Sequence, residues 1–283
     1  MNNIKSKKRS GLTFQILAIL FLSTLALMQL LPFYLKFIDS LHSIDFIPEH
    51  GVLYVYSPAP TLGNYMRAIT KGGFLTGLKN SLIHTISYTT ISLIIAVIVG
   101  YVLGKMQFKG KKIVSALLLS TMMIPGEILI IPNYLLVMKL GWNTSLMAII
   151  LPGIVNVFGI FLISQYMSNI PNAVLESAEL DGCNELNKIY RIVLPMSKPI
   201  IVTYIILTFV NTWNEYLFPM TVLKDPKLYT LQLTMYQFFP KFGGYADGFV
   251  RSAGMILITI PIIIMYMLFQ KYFLEQENIA GLK

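Results

Sequence analysis

The chain has 283 residues, 55% of them hydrophobic and 12% charged, and its mean hydropathy is +0.66. Soluble domains carry about 25% charged residues, so this balance excludes an ordinary soluble enzyme, a disordered chain and a coiled coil. The single cysteine, Cys183, excludes an internal disulfide, and the net charge of +9 points to loops held on one side of a membrane rather than to nucleic acid.

A span needs roughly 20 mostly apolar residues, and six stretches qualify. A basic N-terminus, 1–12, carries Lys5, Lys7, Lys8 and Arg9 and leads into an uncharged run that predicts a first span over 13–35. That run is longer than the roughly 7–15-residue core of a cleaved signal, and no small-x-small site follows, so the span is expected to be retained. Residues 36–79, with Pro48, Pro58 and Pro60, read as a long outer loop, irregular or short-helical. A second span is predicted over 80–104. The basic turn 105–112 then leads to a third over 113–138, whose one charge is Glu127. After a short outer turn, 139–143, a fourth span falls near 144–168. A fifth covers 200–222, with Glu215 its one charge. A second outer loop, 223–251, holds Pro226, Pro240, Gly243 and Gly244, and the sixth span, 252–271, ends at Lys271 before a tail over 273–283.

Six spans put both termini on one side of the bilayer. That side holds thirteen of the 22 basic residues, and the two tightest clusters, Lys5–Arg9 and Lys105–Lys112, flank the first three spans. Short basic segments next to spans set orientation, which predicts both termini in the cytoplasm and an all-α integral membrane protein.

The inner segment 170–199 holds the densest acidic group, Glu176, Glu179, Asp181 and Glu185. Pro171 suits a helix start, and Gly182 sits where a left-handed helix end takes glycine. Asn184 suits the cap of a second helix whose Leu186, Ile189, Tyr190 and Val193 repeat at i, i+3, i+4, i+7. Pro195 and Pro199 are expected to stop that helix. The prediction is two short helices meeting at a sharp bend on the cytoplasmic face. Such a segment either rests on the headgroups or docks on a protein. Its acidity disfavours an anionic lipid surface, and small Ala173, Ser177 and Ala178 permit close approach of another protein.

These residues resemble the "EAA" loop of importer-type ABC transporter permeases. Glu176-Ser177-Ala178 stands for Glu-Ala-Ala, Gly182 follows four residues after Ala178, and after nine intervening residues come Ile192, Leu194 and Pro195. Asp181 before the glycine is a family habit; Ser177 and Cys183 depart from the usual alanines. The resemblance runs from about Leu30 to Gln270. It takes in Asn64-Tyr65, Asn80-Ser81, Phe108 to Lys112, Met123 to Glu127 with Pro132, and Asn211 to Tyr216 with Pro219, and is greatest to the second permease of maltose-type and glycerol-phosphate-type importers. The tail from Leu274 to Lys283 departs from the family's Gly-rich ending.

The resemblance implies a type I ABC importer permease fold, with residues 80–272 as its transmembrane domain and 170–199 as its coupling loop. It implies a separate ATPase dimer that binds ATP and Mg, a second permease, a solute-binding protein outside and a sugar-like cargo. Glu176 would meet basic groups of the ATPase cleft, Gly182 would make the bend, and Ala178 would keep the helix flat enough to dock. Ser177, Asp181, Ile192, Leu194 and Pro195 complete the coupling set. The cargo ATPase is not expected in this chain. The nearest approach to a phosphate-cradling G-x-x-x-x-G-K-[ST], from Gly104 to Lys112, spaces its glycines six apart and ends on lysine. His42, His50 and His84 show no metal-ligand spacing, and no catalytic constellation marks an enzyme.

Glu127 and Glu215 lie inside apolar stretches, where acids are functional candidates. Along straight helices they would sit about 21 Å into span three and about 24 Å into span five. Two readings stay open. In one, they line or gate the path of a neutral sugar with Asn211, Trp213 and Asn214; in the other, they bond neighbouring spans or the partner permease. His84 reads as an interhelical hydrogen-bond partner, and Gly104, Gly126 and Gly153 as sites of close helix packing. The competing functions are an importer for peptides or amino acids, an ion-coupled secondary transporter and, least supported, a membrane enzyme.

Overall fold

The computed structural model describes residues 2–49, 52–70, 73–238 and 245–280; His50, Pro240, Gly243, Gly244 and residues 281–283 lie outside them. Every regular element among the described residues is helical. In chain order these are α1 (Asn2–Leu41), α2 (Gly63–Thr70), α3 (Phe74–Lys105), α4 (Lys111–Thr121), a 3-10 turn (Gly126–Leu129) and α5 (Ile130–Lys139). There follow a 3-10 turn (Trp142–Thr144), α6 (Met147–Ile150), α7 (Val157–Ser168), α8 (Asn172–Leu180), α9 (Glu185–Lys188), a π turn (Ile189–Val193), α10 (Leu194–Met196) and α11 (Lys198–Asn214). The last are α12 (Leu217–Val222), a 3-10 turn (Pro226–Leu228), α13 (Leu231–Phe238) and α14 (Tyr245–Ala280).

Three helices are long and apolar enough to cross a bilayer unaided: Phe14–Leu41, Phe74–Lys105 and Asp247–Gln270. The first extends past the expected end at 35, and α2 and the start of α3 occupy part of the expected outer loop 36–79. The other predicted spans are not straight helices. Residues 113–138 bend by 88° between α4 and the 3-10 turn. Pro125 lacks an N–H and disfavours helix in the residue before it, so the chain breaks there and restarts at Gly126. Residues 144–168 also break. Pro152 and left-handed Gly153 separate α6 from α7, which restarts where the Asn156 side chain accepts from the Gly159 amide at 2.9 Å. At about 18 Å, α7 is shorter than the hydrocarbon core. Residues 200–222 break at Glu215, whose extended backbone (φ −68°, ψ 126°) ends α11.

Contacts divide the chain into two compact units, residues 1–72 with 238–257 and residues 73–237 with 258–283. In the first, Asn64 donates to the carbonyls of Ser40 (2.9 Å) and His42 (2.7 Å), pairing carbonyls that the end of α1 leaves without helical partners. Tyr65 shares a hydrogen bond with Ser40 at 2.7 Å. Asn64-Tyr65 thus fastens α2 to the end of α1.

The second unit is built on α3 and α7. Gly100 and Gly104, four residues apart, let α7 approach so closely that a Cβ there would meet Ile163 at 3.0 Å or the Ser164 carbonyl at 2.9 Å. Gly159 faces the Tyr204 ring of α11, and Tyr204 bonds Ser92 of α3 at 2.7 Å. Gly104 thus plays its expected packing part, whereas Gly126 has no atom within reach of a Cβ and Gly153 makes a turn. The core of this unit continues from Ala96, Val97, Ile160, Ile163 and Met167 into Ile170, Leu175 and Val193 of the 170–199 segment. At the other end of α3, Asn80 donates to the carbonyls of Lys227 and Tyr229 (2.8 and 3.0 Å), Ser81 accepts from the Leu231 amide, and His84 pairs with the Ile149 carbonyl at 3.1 Å.

Candidate functional site

Segment 170–199 folds as the bent pair that its residues predict. α8 ends in a Schellman motif: the Cys183 amide bonds the Ala178 carbonyl and the Gly182 amide the Glu179 carbonyl, both at 2.9 Å. That geometry needs the left-handed Gly182, at φ +79°. Nothing lies within 4 Å of a Cβ placed there, so the requirement is the backbone angle and not space. Asn184 caps α9, its side chain accepting from the Asn187 amide at 2.8 Å.

The outer face of the bend carries Glu176, Ser177 and Asp181 with Leu180, Leu186 and Tyr190, which are 90%, 75% and 73% exposed. Of the four apolar residues of that stripe, Ile189 and Val193 pack in the core and Leu186 and Tyr190 stay outside it. The turn from Ile189 to Val193 is wound as a π helix, which adds a residue per turn and shifts the phase, so that Lys188 and Val193 are the buried positions. Ala178 is buried too, as part of the internal packing. Ile192 and Leu194 pack against the shared core. Pro195 does not stop the helix. It lies inside α10, and the chain turns by 80° at Ser197, after which Pro199 sits harmlessly in the first turn of α11.

A buried cation holds the bend. The Lys188 ammonium bonds Glu179 at 2.9 Å and Glu185 at 2.8 Å, and Glu185 accepts a third bond from the Tyr101 hydroxyl of α3 at 2.6 Å. Bonds from Lys188 and then Tyr101 hold the Glu185 carboxyl below the usual carboxylate range, and the bonds to Glu185 and Glu179 raise the Lys188 ammonium above the ordinary lysine value. One turn beyond Tyr101, Lys105 donates to the carbonyls of Ser168 and Ile170 and to the Asn172 side chain, fastening the end of α7 and the start of α8. Cations are favourable at a helix C-terminus. Of this network only the Glu185–Lys188 spacing on one helix face is visible in sequence; the α3 partners are more than 60 residues away.

A second site is a cavity of about 540 Å³ at the three breaks. It is lined by Glu127 on the 3-10 turn, Asn133 of α5, Tyr88 of α3, Pro152 and Gly153, and Asn211, Asn214 and Glu215 at the end of α11. Four of the five residues expected on the substrate path therefore meet. Trp213 does not: it is buried, donates to the Ile258 carbonyl at 3.2 Å and stacks on Phe209. The depths assigned to Glu127 and Glu215 on straight helices do not hold, since each sits at a break. Tyr88 and Asn133 escape sequence reading because only the 88° bend brings α5 to α3 and α11.

Residues 96–276, well over half of the chain, match the family described as binding-protein-dependent transport system inner membrane component. The arabinooligosaccharides transport system permease protein AraQ of Halalkalibacterium halodurans is 32% identical over 237 residues, covering 83% of this chain and 84% of that protein. Its namesake in Bacillus subtilis is 30% identical over 272 residues, 95% of this chain and 96% of that one. In the crystal structure of a bacterial ABC transporter involved in the import of the acidic polysaccharide alginate, one chain superimposes with a TM-score of 0.84 at 26% identity, over 94% of this chain and 98% of that one. An all-helical fold, apolar membrane-crossing helices and these matches lead to one conclusion: the chain belongs to the binding-protein-dependent transport system inner membrane component family and is a membrane permease subunit of an ABC importer.

Proposed function

We propose that the chain is one of two permeases of a bacterial inner-membrane importer for a neutral oligosaccharide, with both termini in the cytoplasm. A separate ATPase dimer, bearing ATP and Mg, receives the 170–199 segment, and a solute-binding protein delivers the sugar from outside. One observation carries the reading. The Gly182 bend presents Leu180, Leu186 and Tyr190, rimmed by Glu176 and Asp181, as an exposed apolar knob with an acidic edge, backed by the buried Lys188 and Val193. Such a knob fits an apolar cleft edged with basic groups. Ser177, whose hydroxyl is satisfied by the Ala173 carbonyl, leaves the surface beside it smooth. Ala178, Ile192, Leu194 and Pro195 serve as its internal frame.

ATP binding draws the ATPase subunits together, and the docked knob moves with them. Nucleotide thereby favours one of two packings of the spans, by its differential affinity for them. In the cavity, the amides of Asn133, Asn211 and Asn214 and the carboxylates of Glu127 and Glu215 offer donors and acceptors for sugar hydroxyls. The sugar reading takes support from the arabinooligosaccharide transporters among the relatives.

The test is ATP-driven uptake by proteoliposomes holding the chain with its neighbouring permease, ATPase and binding protein, offered arabinotriose, an oligopeptide or glutamine. Uptake of arabinotriose alone is expected. Uptake of the peptide or the amino acid instead would replace the cargo assignment, and ion-driven uptake by this chain alone would overturn the reading entirely.

A further inference from the structure

The segment 170–199 follows α7 directly and shares its apolar core with α3 and α7; two further connections lead out of it. The covalent one enters α11 through an 80° bend at Ser197, and α11 itself ends at Glu215. The other is made of side chains. Tyr101 and Lys105 lie one helical turn apart on α3; one bonds Glu185 on the far arm of the bend, and the other bonds Ile170 and Asn172 at the near arm. Lys188, 4% exposed, binds Glu179 of α8 to Glu185 of α9, so the two arms cannot part without uncovering a cation. The pair on α3 thus grips both ends of a closed bracket.

α3 is unbroken over all its 32 residues, with Tyr101 and Lys105 in its last turns. Tyr88, which lines the cavity, lies thirteen residues from Tyr101, about 20 Å along the same helix. α7 is held to α3 by the glycine contacts at 100 and 104 and by Lys105 on Ser168. A straight rod transmits a push without loss, whereas a bend absorbs it in a few dihedral angles.

We propose, resting on the function above, that Tyr101 and Lys105, with Glu179, Glu185 and Lys188, form the joint through which the coupling segment drives α3 and α7, and that α11 follows rather than leads. These are positioning residues: they touch neither nucleotide nor sugar. Breaking the joint on the α3 side, at Tyr101 and Lys105, leaves the exposed knob intact, so the ATPase stays docked and turns over while the cavity ceases to respond.

The experiment places a cysteine reporter at Tyr88 (Y88C) in a C183S background and measures maleimide labelling of the assembled importer with and without ATP and vanadate. With the joint intact, trapping changes the labelling rate; in Y101F/K105M the change shrinks by about tenfold, reflecting loss of charge-assisted hydrogen bonds, while the ATPase subunit co-purifies as before. K105R and K188R restore the response, and K188M abolishes it. Y101F alone, which removes one oxygen and keeps the ring, covers the case in which the double variant fails to assemble. A full labelling change in Y101F and K188M, with the ATPase bound, overturns the joint and leaves the proposed function standing. A wild-type chain that binds no ATPase overturns both.

Discussion

The Tyr101 hydroxyl and the Glu185 carboxylate, 84 residues apart in sequence, meet at 2.6 Å and tie the second long helix to the far arm of the bend at Gly182. Glu185 also holds Lys188, so its loss removes two bonds where loss of Glu179 removes one. E185Q should therefore lower uptake more than E179Q. A double-mutant cycle between Y101F and E185Q should return a coupling of about 1 kcal/mol, modest because Glu185 is half exposed. Thermal unfolding of the purified chain in detergent measures it, and additive losses would contradict the contact.

The Gly182 requirement is conformational. Since no atom crowds the position, G182A should cost about 1–2 kcal/mol from the left-handed backbone alone. G182N should recover most of the loss, because asparagine tolerates that region. Co-purification of the ATPase subunit with each variant is the readout, and equal defects in both would point to lost space instead.

At Gly159 the requirement is space. A Cβ there would stand 2.1 Å from Cε2 of Tyr204, so G159A must displace the ring and break its bond to Ser92. Overpacking of this kind costs about 1–3 kcal/mol. The melting temperature should drop in G159A and be largely recovered by pairing it with Y204L.

The bracket's acid sensitivity follows from Glu185. Its carboxyl titrates lower in the folded chain than in the unfolded one, so the stability it adds is complete above the ordinary value of about 4.3 and disappears as pH falls through the lowered one. Lys188, raised above the ordinary lysine value, stays charged through neutral and mildly alkaline pH. Hydrogen exchange over residues 172–196, corrected for its intrinsic pH dependence, should be flat from about pH 5 to pH 9 and rise below about pH 4.

Within the proposed sugar path, E215Q and N214A should raise the KM for uptake several-fold with little effect on melting. W213F should do the reverse, because the indole faces Ile258 and not the cavity. A W213F variant with altered KM and unchanged stability would put the tryptophan back on the path.

Much of this was readable from the residues. The long apolar runs marked α1, α3 and α14, and Pro171, Gly182 and Asn184 marked the two arms and the bend, because capping chemistry is local. Hydropathy is blind to backbone direction, so runs 113–138, 144–168 and 200–222 read as straight spans although Pro125, Gly153 and Glu215 break them. Periodicity marked the second arm through Leu186, Ile189, Tyr190 and Val193, but it presumes an α helix and so cannot show the π turn over 189–193. The Lys188 cage was invisible for another reason: its α3 partner comes from a stretch, Gly100 to Lys105, whose hydropathy describes only a span.

The end of α11 at Asn214 has one more effect. A helix leaves its last four peptide oxygens without helical partners, and of residues 211–214 three border the cavity. If the cavity is the proposed sugar path, a solute there meets the peptide groups of a broken helix end, which stay the same whatever amino acids stand at those positions, although the Thr212 carbonyl is already taken by the Glu215 amide at 3.3 Å. On that reading, exchanging side chains retunes the cargo preferred, whereas rerouting the polypeptide at Glu215 would change the polar lining itself.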